Sequence, residues 1–236
     1  MNPAKSPVTI DAVLARMRAI DDELPINDGV AWFNKLYLQV TERIGERHEQ
    51  GSFKYPGFLE RLDVVFADLY FRAYKTAQAG KAKTVSKAWA PLFAARHKSA
   101  IAPIQFAAAG MNAHINYDLA VALVSVCAEF GLKIERGTPH HADFEHVNQL
   151  LEEVEEDVKH WFATGFVEEL DHAFGRVDDI LAMWSIARAR DMSWTTAQIL
   201  STLGQGFLRD QFLLGHGKYV GAYGRGLLLP TGAPLD

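Results

Sequence analysis

Four polar side chains stand inside an otherwise apolar stretch of the chain: Asn112, His114, Asn116 and Asp118, within Gly110-Met111-Asn112-Ala113-His114-Ile115-Asn116-Tyr117-Asp118-Leu119. At about 100° per residue, a helix puts His114 and Asp118 on one face and Asn112 and Asn116 on another, the two pairs roughly 160° apart. A helix with polar groups on opposite sides is surrounded by other elements. Each group then needs a partner, because an unpaired buried amide or carboxylate costs on the order of 1 to 3 kcal/mol. A histidine and a carboxylate four residues apart support two chemistries. They can ligate one divalent metal such as zinc, or Asp118 can fix the tautomer of an imidazole that acts as general base. A purely structural network is the third reading. Asn112 and Asn116 suit helix-to-helix bridges or, where this cluster is a site, substrate contacts.

Other groups that would complete such a site lie elsewhere in the chain. His140, His141, Asp143, His146 and Asn148 cluster at a helix start and offer metal or substrate contacts, although Asp143 and Asn148 also suit capping and bridging. His172, beside Asp171 and before Asp178 and Asp179, is a second possible donor. Asp63 shares a helix face with Phe66, Tyr70 and Tyr74, where it is expected to be buried, either paired with an arginine such as Arg61 or lining a pocket. Trp184 and Arg188, four apart, suit a cation-π pair or the wall of a pocket for a planar ligand. The acidic run of Glu152, Glu153, Glu155, Glu156 and Asp157, with His160 after it, reads as a solvated helix face.

The elements that position these residues are helical, since apolar residues recur at spacings of three and four and hairpin signals are missing. Thr9 caps a first helix over 9–22, ended by Pro25. The stripe of Trp32, Leu36, Val40 and Ile44 marks a second over roughly 27–49. Pro56 opens a third, closed by Gly80, and a short helix with Trp89, Leu92 and Phe93 follows. A long helix over 102–130 enters at Pro103 and stops at Gly131. Thr138-Pro139 opens the next, running to about Ala163. Residues 167–190 read as another, finishing on Arg188 and Arg190, with Thr195 and Gln198 in capping-box spacing for its successor. The Gly-rich segment 204–236 reads as a broken helix and loop. Lys218 is followed there by Tyr219, not by the Ser or Thr of a phosphate loop.

A chain of 236 residues, 49% of them hydrophobic, can bury a sizeable core, and no composition break divides it, so 1–236 is read as one domain. The formal charge of -5, with lysines and arginines scattered, points away from a nucleic-acid partner. Gln105 and the four polar residues argue against a membrane span through 102–130. Met1 to Ile10 does not read as a signal peptide, and the lone Cys127, on an apolar helix, reads as a buried thiol in a reducing cytoplasm. No feature specifies an oligomeric state.

The segment from Pro103 to Leu119, with Asp143-Phe144, Val147-Asn148 and the stretch from Trp184 to Trp194, resembles an uncharacterised, mainly actinobacterial family known only as a domain of unknown function. The resemblance covers residues 26–205. A looser similarity is to the all-helical zinc-dependent phospholipase C and single-strand nuclease group, which would make His114 and Asp118 metal ligands. That group also uses several further histidines and a mature N-terminal tryptophan, which this chain, starting at Met1 without a signal peptide, does not match. Isoprenoid cyclases are a third comparison, but Asp21-Asp22 and Asp178-Asp179 lack the third aspartate of a diphosphate motif.

These readings combine into an all-α bundle of about eight to nine helices around the buried helix 102–130, holding a mostly apolar pocket with His114 and Asp118 at its polar end. The expected function is enzymatic: acid-base or metal-assisted hydrolysis, elimination or cyclisation of a small, largely apolar metabolite. The alternative is a non-catalytic binder of a hydrophobic small molecule, in which the same polar residues only fix orientation.

Overall fold

The computed structural model describes residues 9–48, 53–149, 151 and 185–230, and every regular element among them is helical. They are α1 (Ile10–Glu23), α2 (Gly29–His48), α3 (Pro56–Thr76), α4 (Ala90–Ala95), α5 (Pro103–Ala113), α6 (Leu119–Glu129), α7 (139–149), α8 (Ile186–Leu203) and α9 (Phe207–Leu227). The helix starts follow the expected chemistry in several places. Thr9 Oγ1 accepts from Ala12 N, Pro56 occupies the first turn of α3, and Thr138 Oγ1 accepts from His141 N. Asp28, which the sequence reading passed over, caps α2 through Val30 N and is locked by the buried guanidinium of Arg96, Nη2 to Oδ2 2.6 Å.

The predicted central helix exists, but it is not uniform. Between α5 and α6, residues His114–Asp118 widen into a π turn in which Leu119 N bonds to His114 O. Such turns need outside help, because they displace the regular ladder. Here Ser193 Oγ of α8 donates to Ile115 O at 2.6 Å, and His216 Nε2 of α9 lies 2.7 Å from Asn116 O. Helix α2 packs on α5, α3 on α6, α8 on α6 and the π turn, and α9 on α5 and the π turn. From Ile104 to Ala113, every residue of α5 is buried.

Two expectations about boundaries are corrected. Residues 186–190 do not finish a helix; they start α8. Ser185 is extended (φ -115, ψ 111), and its Oγ accepts from Arg188 N. Thr195 caps nothing, since its hydroxyl bonds back to Asp191 O inside the continuous helix. The Gly-rich tail is likewise no broken helix, because α9 runs unbroken for 21 residues. Glycines 217, 221 and 224 lie on one face, where side chains would not fit. A Cβ on Gly221 would meet the carbonyl of Lys87, one on Gly217 would lie 3.2 Å from Tyr117, and one on Gly224 would lie 3.3 Å from Asn112 Nδ2. Close helix contact outweighs glycine's poor propensity. Among the described residues, no helix is long and apolar enough to cross a membrane.

Candidate active site

His114 is fully buried and enclosed by rings from three other elements. Phe66 of α3 stacks on it at 3.5 Å between centroids and 4° between planes, while Tyr37 of α2 meets it edge-on at 4.6 Å. Phe33, Tyr70 and Trp89 complete the shell at 5.8, 6.2 and 5.9 Å. The imidazole Nδ1 lies 3.1 Å from Asp118 Oδ2, and the same oxygen accepts from Trp89 Nε1 at 2.8 Å. Asp118 is therefore held from two sides. With Nδ1 engaged by a carboxylate, Nε2 carries the free lone pair of the neutral ring. That nitrogen is buried with no hydrogen-bond partner among the described residues.

Burial sets the charge states. It lowers the His114 pKa below 6.5, only partly offset by the hydrogen bond and charge of Asp118, so the imidazole stays neutral. Burial raises Asp118 above the usual carboxylate range, against the opposing pull of His114 and Trp89. Tyr37 and Tyr70 are pushed above their ordinary value by the same loss of solvation.

His114 lines a cavity of about 50 Å³, together with Tyr37, Asp63, Phe66, Met111, Ile115 and Arg190. Asp63 lines the same cavity and is half-buried there, not sealed. Its electrostatic partner is Arg190, however, not Arg61, which instead pairs with Glu129 at 2.9 Å on the surface. Burial lifts the Asp63 pKa from 3.8 to about 7, with Arg190 lowering it and Glu60 raising it. Arg190 is itself buried and depressed to about 10, its Nε donating to Asn148 Oδ1 at 2.6 Å and its Nη2 to Phe144 O at 3.0 Å. Its guanidinium lies over the Phe144 ring, 4.1 Å from the centroid.

The other predicted site residues separate from this cavity. Asn112 and Asn116 bond to each other, and Asn112 Nδ2 reaches Val220 O of α9 at 3.0 Å, which makes them a bridge on the opposite face of the helix. Asp143 accepts the backbone N–H groups of Lys54 and Tyr55 at the start of α3. Asn148 reaches the site only through Arg190, and Arg188 is exposed. His140 and His141 bond to the turn before α7, and His146 pairs with Gln149. Among the described residues no group of three or more His, Cys, Asp or Glu side chains is placed to hold a metal ion. Trp184, His172 with Asp171, Asp178 and Asp179, and the acidic run 152–157 with His160 lie outside the described residues.

Sequence reasoning missed Arg190 and Trp89. The signal for the first was Ser185: once it is taken as the cap, Ile186, Arg190, Ser193 and Ala197 fall on the inward face of α8. For Trp89, the signal was its indole N–H, which needs an acceptor once buried.

Neither a curated protein nor a solved structure matches the chain. A family model matches residues 10–230, wider than the signature residues alone suggested and inclusive of α9, and by that match the chain belongs to DUF5995, a family of unknown function.

Proposed function

We propose that this protein is an enzyme performing acid-base chemistry on a small, largely apolar metabolite, with His114 as general base and Asp118 orienting it. The observation that carries the reading is the unpartnered, buried Nε2 of His114, on a residue that lines a cavity while its Nδ1 is fixed by Asp118. A structural histidine would have both nitrogens satisfied, because an orphaned polar atom costs about 1 to 3 kcal/mol. The neutral imidazole can take a proton from a bound substrate or water, while Asp118, itself held by Trp89, faces the ring as charge develops. Asp63, titrating near neutrality in the same cavity, supplies a second proton-carrying group. Proton abstraction followed by elimination or cyclisation, or activation of a water for hydrolysis, uses such a pair. The cavity of about 50 Å³ holds only one or two waters' worth of volume, so it receives the reacting end of the substrate. The buried Cys127 suits a cytoplasmic enzyme.

The aromatic shell also favours a second reading, a non-catalytic binder of a hydrophobic small molecule. One experiment separates the two. Purified protein and the His114→Gln and Asp118→Asn variants are incubated with a cell metabolite extract, and the extract is followed by mass spectrometry. The enzyme reading expects a metabolite consumed by the wild type and left by His114→Gln. A metabolite retained on the protein but chemically unchanged favours the binder. Elemental analysis of the same preparations tests the metal-assisted variant, which expects a near-stoichiometric divalent ion lost in both substitutions.

A further inference from the structure

Arg190 carries a buried charge whose direct contacts among the described residues are neutral, Asp63 acting on it only through space. Its Nε and Nη2 are taken by the amide oxygen of Asn148 and the carbonyl of Phe144, and its face by a phenyl ring. None of these supplies a negative charge. The nearest carboxylate on the cavity wall, Asp63, forms no ion pair with it among the described residues, and Nη1 has no acceptor there. A guanidinium withdrawn from water is stable when an anion meets it, and its planar fork matches a carboxylate in two-point contact. Apart from Thr41, whose hydroxyl donates to Tyr37 O, the rest of the wall is apolar or aromatic, with Phe66, Met111, Ile115, Val147 and Ile186 around the histidine.

Building on the reading of this cavity as the reactive site, we propose that Arg190 binds the carboxylate of the substrate, so that the substrate class is a small carboxylic acid with an apolar chain. The carboxylate anchors on Nη1 and, with the carbon next to it, takes up the cavity of about 50 Å³, while the rest of the apolar chain leads out of it. A carbon next to the carboxylate then comes within the part of the cavity that His114 lines. Asn148 and Phe144 are positioning groups: they aim the guanidinium and do not touch the ligand.

Four ionisable or charged groups line the cavity: Tyr37 from α2, Asp63 from α3, His114 from the π turn and Arg190 from α8. Asp118 and Glu60 act on them from outside the wall. Between pH 6 and 8 Tyr37 stays protonated and Arg190 charged, and burial favours the neutral form of His114. Asp63 is the group that changes, from mostly neutral at pH 6 to mostly charged at pH 8. A bound carboxylate is repelled by the charged form, so binding draws a proton onto Asp63 and weakens by about tenfold from pH 6 to pH 8.

The test measures binding of propionate, butyrate and hexanoate, and of their neutral amides, to the full-length wild-type protein by calorimetry and NMR. The expected result is binding of at least one carboxylate, at least tenfold tighter than its amide and about tenfold weaker at pH 8 than at pH 6. Arg190→Gln should abolish it. Should Arg190→Gln fail to fold, Asp63→Asn provides an independent check: it should keep the affinity seen at pH 6 and lose the pH dependence. Amides that bind as well as the acids overturn the proposal, as does carboxylate binding that Asp63→Asn leaves equally pH-dependent. No binding of any of these acids at millimolar concentration overturns it too. None of those failures touches the role of His114, which is read from turnover of the metabolite extract.

Discussion

Replacing Asp63 by Asn removes the one cavity group that titrates near neutrality, and the structure gives both the sign and the size of the effect on folding. In the unfolded chain the carboxyl ionises near its ordinary 3.8, whereas in the fold burial holds it to about 7. The unfolded state therefore loses the proton first. Stability falls as pH rises from about 4 to about 7, then levels off. A shift of this size has a ceiling of about 4 kcal/mol at 1.36 kcal/mol per pKa unit. Asp63 is half-buried, not sealed, so residual solvation discounts the ceiling to about 2 kcal/mol. Urea unfolding of wild type and Asp63→Asn at intervals from pH 5 to pH 8.5 reads this directly. The variant should gain on the wild type by about 1 to 2 kcal/mol across that range, with most of the gain by pH 7.5. The constant cost of seating an amide there moves both ends of the comparison equally, and the titration of His114 is common to both proteins, so the difference isolates Asp63. Parallel stability curves would refute the reasoning. They would mean that Asp63 ionises as an exposed carboxylate does and that the cavity is not the low-dielectric site described above.

Asp118 receives Trp89 Nε1 and His114 Nδ1 on a single oxygen. An asparagine can therefore keep both bonds with its amide oxygen, and Asp118→Asn is expected to cost under about 1 kcal/mol of stability; Asp118→Ala strands both donors and should cost about 2 to 4, as measured by urea midpoints. Equal costs for the two would place the carboxylate's charge, not its hydrogen bonds, at the centre of the network. Gly221→Ala would drive a methyl group into the Lys87 carbonyl and is expected to lower stability by about 1 to 3 kcal/mol, whereas Gly226→Ala, with open space around it, should be neutral or stabilising.

Much of the helical frame was legible because local chemistry and tertiary structure agree there. Thr9, Pro56 and Thr138 act at helix starts as their residue types require, and the opposed faces of the Asn and His/Asp pairs follow from helical spacing alone. Where the two levels disagree, the sequence misleads. Five glycines in α9 argue locally for a break, yet three of them are needed where the backbone of another segment or a bulky side chain approaches. The π turn depends on Ser193 and His216, which lie far along the chain from His114, so no window around the motif contains its cause. The cavity was half visible: His114 and Asp63 declared themselves by being polar on apolar faces, while Arg190 was hidden behind a helix start placed in the wrong position.

The π turn also explains why the two asparagines matter to a site they do not touch. The central helix is gripped on opposite sides. Asn112 and Asn116, with His216, tie one face to α9, and Ser193 ties the widened turn to α8. Asp118 and Trp89 fix the imidazole on the other face. Rotating the helix to relieve the unpartnered Nε2 would break bonds on every side at once, so the protein retains an orphaned nitrogen that a freer helix would turn toward a partner. Local discomfort held in place by satisfied surroundings is how a reactive group persists in a folded core. The glycine face of α9 belongs to the same device. Only a helix without side chains at positions 217, 221 and 224 comes close enough to lend the carbonyl of Val220 to Asn112.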